Sequence, residues 1–273
     1  MPFFKPKWMC KNEARALQFV ENLTDRNLLA SAAMESPHEK VRKTAVSKTA
    51  DPSILAKIAT RDVSAEVREI AALRVQDQTV LAEIAKNDTS AAVRGAAIAG
   101  LTDEEVLCHI ALTDPSTVYH NTSDGGRVIY HLRLNAVHKI SNQKLLFDIA
   151  CTSDAACVSV TAAECLTNQN YLMKIVLQYI KNCPEKQDEC ASLCCRAALQ
   201  NKHLTEQRLF AGIIASTCPT WMKCCAVQRL TDQKALNLLA QKDETTAETT
   251  QFKGRYYPIR EEAQRRLLQL RHS

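Results

Sequence analysis

In a chain of 273 residues, 35 basic and 30 acidic side chains leave a net charge of +5, an excess too small to name a class of partner by itself. Nowhere do 18 apolar residues run together, and the opening MPFFKPKWMCKNEAR has no apolar core of a secretory leader. Neither a membrane-spanning helix nor export is therefore expected, and the setting read from the sequence is the cytoplasm.

The first unit of the chain is atypical. Val20, Leu23, Asp25 and Leu29 each stand 26 residues ahead of Val46, Thr49, Asp51 and Leu55, and Phe3, Phe4 and Trp8 are expected to cover its open end. From His38 to Asp114 the same period becomes explicit in three copies, in which Val41, Val67 and Val93 coincide, as do Arg42, Arg68 and Arg94, and Leu55, Leu81 and Leu107. A fixed period marks one supersecondary unit stacked on copies of itself.

Within a copy the apolar residues Val67, Ala71, Ala72 and Val75, then Leu81, Ile84 and Ala85, follow the spacing of two short amphipathic helices. Asp51, Asp77 and Asp103 open the second helix as N-caps, Pro52 following the first of them, and Ser64 and Ser90 can cap the other helix. Helices of about ten residues are marginal alone in water, so stacking must stabilise them. The small residue in mid-stripe (Ala45, Ala71, Ala97) lets neighbouring backbones approach, and no strand is required. Arg68 sits in the first turn of its helix, where the macrodipole disfavours a cation. Asp62, six residues before Arg68, and Asp88, six before Arg94, are the expected carboxylate partners, within or between units.

An Asp, then Val-Arg six residues on, an Ala three further and a closing Leu together resemble the HEAT-like repeat; in its short period the unit also resembles the leucine-rich repeat variant. What the resemblance implies is an all-α, right-handed α-α superhelix, an armadillo-like solenoid that serves as a scaffold for binding proteins and sometimes nucleic acid. It implies no catalytic residue.

After Asp114 an insertion, residues 115–131, precedes a resumption at Leu132-Arg133 with Ala136, Ile140, Leu146 and Ile149. Val158, Ala162, Leu166, Leu172 and Ile175 make the next copy, with Ser159 where Arg is expected. Residues 177–193 read as a lengthened helix plus a loop. A blurred copy follows at Arg196, Leu199 and Leu209, then a clear one at Lys223, Ala226, Val227, Leu230, Asp232 and Leu236. A third insertion, 243–258, leads to a charged C-terminal cap, 259–273. Taking Ala16, Arg42, Arg68, Arg94, Arg133, Ser159, Arg196, Lys223 and Arg260 as anchors gives nine first helices, in a single solenoid domain of about nine repeats over residues 1–273.

Three features are candidates for function. Six residues after the anchors lies a basic column, Lys48, Arg74, Lys139, Lys202, Arg229 and Arg266. It is either a set of cations favoured by the carbonyl ends of helices or a row of charges, about 8 to 10 Å apart as packed helices are, that tracks an acidic peptide or a phosphate backbone. The first and third insertions share a Gly-Arg-aromatic wording that offers Arg127, Tyr130, Arg255, Tyr256 and Tyr257 as interface residues, or as aromatics that seal the gap between units. The twelve cysteines contain no CxxC and no zinc-type Cys/His spacing. They read as small hydrophobes, Cys190 and Cys194 being the first place to look for a metal.

Enzymatic readings find no support in the residues. A likeness to HEAT-like di-iron hydroxylases would need repeated His-Glu pairs, and only His38-Glu39 occurs. A likeness to HEAT-like base-excision glycosylases would need an acidic residue among aromatics, which are too scattered here. His120, His131 and His138 lie around the first insertion without an adjacent nucleophile. The function expected is a non-enzymatic scaffold, with no cofactor and no membrane association, that binds a partner protein along its groove and insertion loops. The alternative is a nucleic acid or other polyanion held by the basic column, whose C-terminal end is the richest in positive charge; an enzyme on this scaffold comes third.

Overall fold

The computed structural model describes residues 6–115, 117–121, 127–182, 189–241, 251–252, 255–256 and 259–271. The chain folds as two compact units, Met1–Lys139 and Ile140–Ser273, and each is a stack of consecutive helix pairs. No described helix is long and apolar enough to cross a membrane.

The first unit opens with a 3-10 turn, Lys7–Met9, and continues through α1 (Glu13–Glu21), α2 (Arg26–Glu35), α3 (Glu39–Lys48), α4 (Pro52–Arg61), α5 (Ala65–Ala72), α6 (Gln78–Asn87), α7 (Ala91–Gly100), α8 (Glu104–Thr113) and α9 (Leu132–Lys139). The second contains α10 (Gln143–Thr152), α11 (Ala156–Cys165), α12 (Gln169–Asn182), α13 (Glu189–Gln200), α14 (Gln207–Ala215), α15 (Thr220–Arg229), α16 (Gln233–Gln241) and α17 (Ile259–Arg271). Among the described residues, the odd-numbered helices from α1 to α17 are the nine first helices that the anchors imply.

The closest pairing is offset from the reading frame of the sequence repeat. Each second helix packs most tightly on the first helix of the following copy, as α2 on α3, α4 on α5 and α6 on α7. The spatial module is therefore a helical hairpin, closed in the explicit copies by the turn that carries Asp62, Asp88 or Asp114, and the described residues of each unit hold four, ending with α8–α9 and α16–α17. Successive first helices also pack on one another, α1 on α3 on α5 on α7, whereas successive second helices touch more lightly.

Local chemistry explains the starts of the helices. Asp51 accepts from the backbone N–H groups of Ser53 and Ile54 at 2.8 and 3.4 Å, Asp77 from Thr79 and Val80, and Asp103 from Glu105 and Val106. Asp25, Asn142 and Asp232 repeat the arrangement. Each satisfies amide donors that have no carbonyl within the helix. Packing then follows from the small residue in the stripe: Ala16, Ala45, Ala71, Ala97, Ala136, Ala162, Ala198, Ala226 and Ala263, one per first helix, are all 0% exposed. An alanine there lets two backbones approach while Leu81, Leu107, Leu146 and Leu172 fill the space between layers. At the N-terminus Trp8 is buried, its carbonyl accepting from Ser36 Oγ at 3.2 Å, so it covers α1 as expected; Phe3 and Phe4 lie outside the described residues.

The insertions contain strands that the repeat pattern does not call for. β1 (Thr117–Asn121) pairs antiparallel with β2 (Arg127–His131), and β3 (Gln251–Phe252) pairs with β4 (Arg255–Tyr256). TVYHN and RVIYH are β-branched and aromatic runs on either side of a segment with two glycines, which is a hairpin signal. The middle insertion opens with a lengthened helix, α12, of 14 residues.

Candidate functional site

The arginine column is a ladder of ion pairs, buried at Arg94–Asp114 and part-buried at the two before it. Arg42 donates through Nε and Nη2 to the Asp62 carboxylate at 2.8 and 3.0 Å, Arg68 to Asp88 at 2.8 and 2.9 Å, and Arg94 to Asp114 at 2.8 and 3.3 Å. The remaining nitrogen of each guanidinium reaches a main-chain carbonyl six residues earlier, Ser36, Asp62 and Asp88 in turn. Asp62 and Asp88 thus meet the arginine that follows them through their backbone oxygen, and keep their carboxylates for the arginine of the preceding copy. Burial pushes the Asp88 carboxyl upward, but the Arg68 hydrogen bonds win and hold it below the usual carboxylate range. The hydrogen bonds from Arg68 to Asp88 likewise raise the arginine.

The basic column reaches back along the chain. Lys48, closing α3, donates to Val20 O and Glu21 O at 3.2 and 2.6 Å, at the end of α1. Arg74 donates to Val46 O near the end of α3, Lys139 to Ala99 O of α7 at 2.5 Å, and Arg266 to Leu230 O at 3.2 Å. Arg229 reaches the Asn201, Lys202 and Leu204 carbonyls at 3.1, 3.2 and 2.8 Å. Each cation caps the carbonyl end of an earlier first helix, where unsatisfied acceptors and the negative end of the dipole coincide. The expectation of a cation at its own helix end is met in kind, but the carbonyls belong to a neighbour.

Lys202 departs from the column. It is exposed, and Asn201 beside it performs the capping, its Nδ2 donating to Ala163 O, Glu164 O and Leu166 O at 2.9, 3.2 and 2.9 Å. The cause is a register offset of one residue. The fully buried alanine of α13 is Ala198 and not residue 199, so Cys195 takes the place assigned to Arg196. Arg196 instead lays its guanidinium 4.9 Å from the Trp221 ring.

A second ladder escapes a reading of the sequence by its period. The Gln78 side-chain oxygen accepts from Thr102 N and Oγ1, Gln143 from Thr167, Gln169 from Thr205 and Gln207 from Thr231, at 2.6 to 3.1 Å. Its signal is the recurrent LTNQ, LTEQ and LTDQ at residues 166, 204 and 230.

The second unit carries an open apolar groove of about 680 Å³ between α12 and α14. Met173, Leu177 and Ile180 line one side and Leu209 and Ile213 the other, with Glu206, Arg208 and Ser216 also on its lining. Leu177 is 48% exposed. Gly212 lines it as well, with nothing within 4 Å of where a Cβ would stand.

Of the insertion residues, Arg127 and Tyr130 belong to β2, and Arg255 and Tyr256 to β4. Their side chains, and Tyr257 altogether, lie outside the described residues. So do the side chain of Cys190 and the whole of Cys183. Cys194 donates to Ala150 O at 3.3 Å. Burial pushes the Cys225 thiol up to about 11, against the opposing pull of Arg196. Burial and then the Asp148 charge do the same for Cys151, also to about 11. Such thiols are poor nucleophiles at neutral pH. Among the described residues no three His, Cys, Asp or Glu side chains are grouped as metal ligands. The class of protein defined by these features is a stacked helical-hairpin repeat, and no family model, curated protein or solved structure matches the chain.

Proposed function

We propose that this chain is a non-enzymatic scaffold of the HEAT-like kind whose partner is a protein presenting an amphipathic helix. The observation that carries the reading is the groove between α12 and α14, where exposed Leu177, Met173 and Ile180 face Leu209 and Ile213. Apolar anchors at helical spacing fit such a groove, and Gly212 leaves room for close approach of a partner backbone. Lys48, Arg74 and Lys139 of the basic column support the same choice over a polyanion, because their nitrogen groups already serve main-chain carbonyls.

A photo-crosslinking residue placed at Gly212 tests this in the native cell. The reading requires protein adducts that resist nuclease and disappear when Leu177→Asp is added. Nucleic-acid adducts, or protein adducts indifferent to Leu177→Asp, would overturn it. Affinity of the captured partner should also fall only gently with salt, since a surface that neutralises a phosphate backbone loses affinity steeply.

A further inference from the structure

A different part of the second unit concentrates positive charge without a carboxylate to neutralise it. Arg229, at the end of α15, and Arg266, on α17, line one cleft of about 290 Å³ together with Leu204, Thr205, Gln228 and Thr231. Arg229 uses only Nη2 on the carbonyls it caps, which leaves Nε and Nη1 outside those bonds. Arg266 uses Nε on Leu230 O and Nη1 on Gln269 Oε1, both at 3.2 Å, which leaves Nη2. The carboxylates of the adjoining segments make bonds of their own. Glu206 caps Arg208 N at 3.2 Å, Asp232 caps Lys234 N and Ala235 N, and Glu262 pairs with Arg265 at 2.6 Å. Burial and then the like charge of Arg266 push the Arg229 guanidinium below the usual arginine range.

From this arrangement we infer that the cleft binds the phosphoryl group of a small phosphate monoester, held between the Arg229 and Arg266 guanidinium groups. The N–H groups left over, Nε and Nη1 of Arg229 and Nη2 of Arg266, each donate singly to a doubly charged tetrahedral oxyanion, which neutralises both guanidinium groups and removes their mutual repulsion. The volume suits a phosphate with a small organic body. A nucleic-acid strand needs further cations in a row, and Arg229 and Arg266 are the two that line this cleft. This site is separate from the groove between α12 and α14, so either can fail without the other.

The test uses the native full-length protein. Arginine modification by phenylglyoxal, read by peptide mass spectrometry, is followed in inorganic phosphate and in sodium chloride of equal ionic strength. Phosphate should slow modification selectively at Arg229 and Arg266 and leave exposed Arg61 unchanged; equal slowing by both salts, or no protection of the pair, overturns the inference. Saturable ³¹P line broadening of inorganic phosphate should weaken about tenfold in Arg266→Gln, the loss of one charge-assisted donor group, and stay unchanged in Arg61→Gln. Should Arg266→Gln lose its helical circular dichroism, the protection pattern of the native protein decides. Protection that grows with the length of a single-stranded oligonucleotide but is absent with inorganic phosphate would place a strand there and overturn the monoester assignment.

Discussion

Arg94 and Asp114 set the terms at the scale of the residue: their side chains are 8% and 3% exposed and joined by two hydrogen bonds. Removing one partner takes the counter-charge from a buried ion, so Arg94→Ala should cost about 3–5 kcal/mol in urea denaturation. The same pairing makes stability depend on acid. The Asp88 carboxyl is held below its ordinary value in the folded chain, so its contribution is complete above the ordinary carboxylate range and is lost as pH falls through the depressed value. Urea midpoints measured between about pH 5 and pH 2 should therefore decline less steeply in Asp88→Asn than in the parent chain. The recurrence of these arginines and aspartates is plain in the sequence, but the atom each meets is not. A guanidinium in a first helical turn reaches the main chain six residues back before it reaches that residue's carboxylate, which also accepts from Ser64 N or Ser90 N in its own turn.

Between elements, the contacts that order the stack are bonds from a side chain of one hairpin to the main chain of another. Asn201 and Lys202 separate the two readings of the basic column. Asn201→Ala strips three carbonyls of their donor and should cost about 1–3 kcal/mol, whereas Lys202→Ala should change stability by less than about 0.5 kcal/mol; chemical denaturation of the pair checks both. Helix content and capping can be read from period and Asp spacing because both are local. The frame of the packing module cannot, since Leu55, Ile58 and Ala59 of α4 do not say whether the helix before it or the helix after it is the tighter neighbour. The offset in α13 is hidden because Ala197, Ala198 and Leu199 are all small or apolar and all buried, so the period alone does not choose among them. The strands in the insertions are legible in TVYHN and RVIYH, but an expectation built on the repeat leaves them out because the repeat needs none.

For the molecule as a whole, the division at Lys139 and Ile140 falls between complete hairpins. Repeat stacks draw stability from neighbours and not from one central core. A fragment ending at Lys139 should accordingly keep a cooperative, helical transition by circular dichroism, and a broad, non-cooperative melt would contradict this. Within that fragment Leu81→Ala, at a side chain 0% exposed, should lower stability by about 2–5 kcal/mol.

The backward reach of Lys48, Arg74, Lys139, Arg229 and Arg266 gives the array a polarity. α1 is held by Lys48 yet offers nothing to an earlier helix, since Asn22 turns to Gln18 O of its own helix; α17 holds Leu230 O through Arg266. A copy of the α2–α3 hairpin inherits both a hand to extend, Lys48, and a wrist to be gripped, the Val46 carbonyl, so tandem copying of that module within the first unit is tolerated.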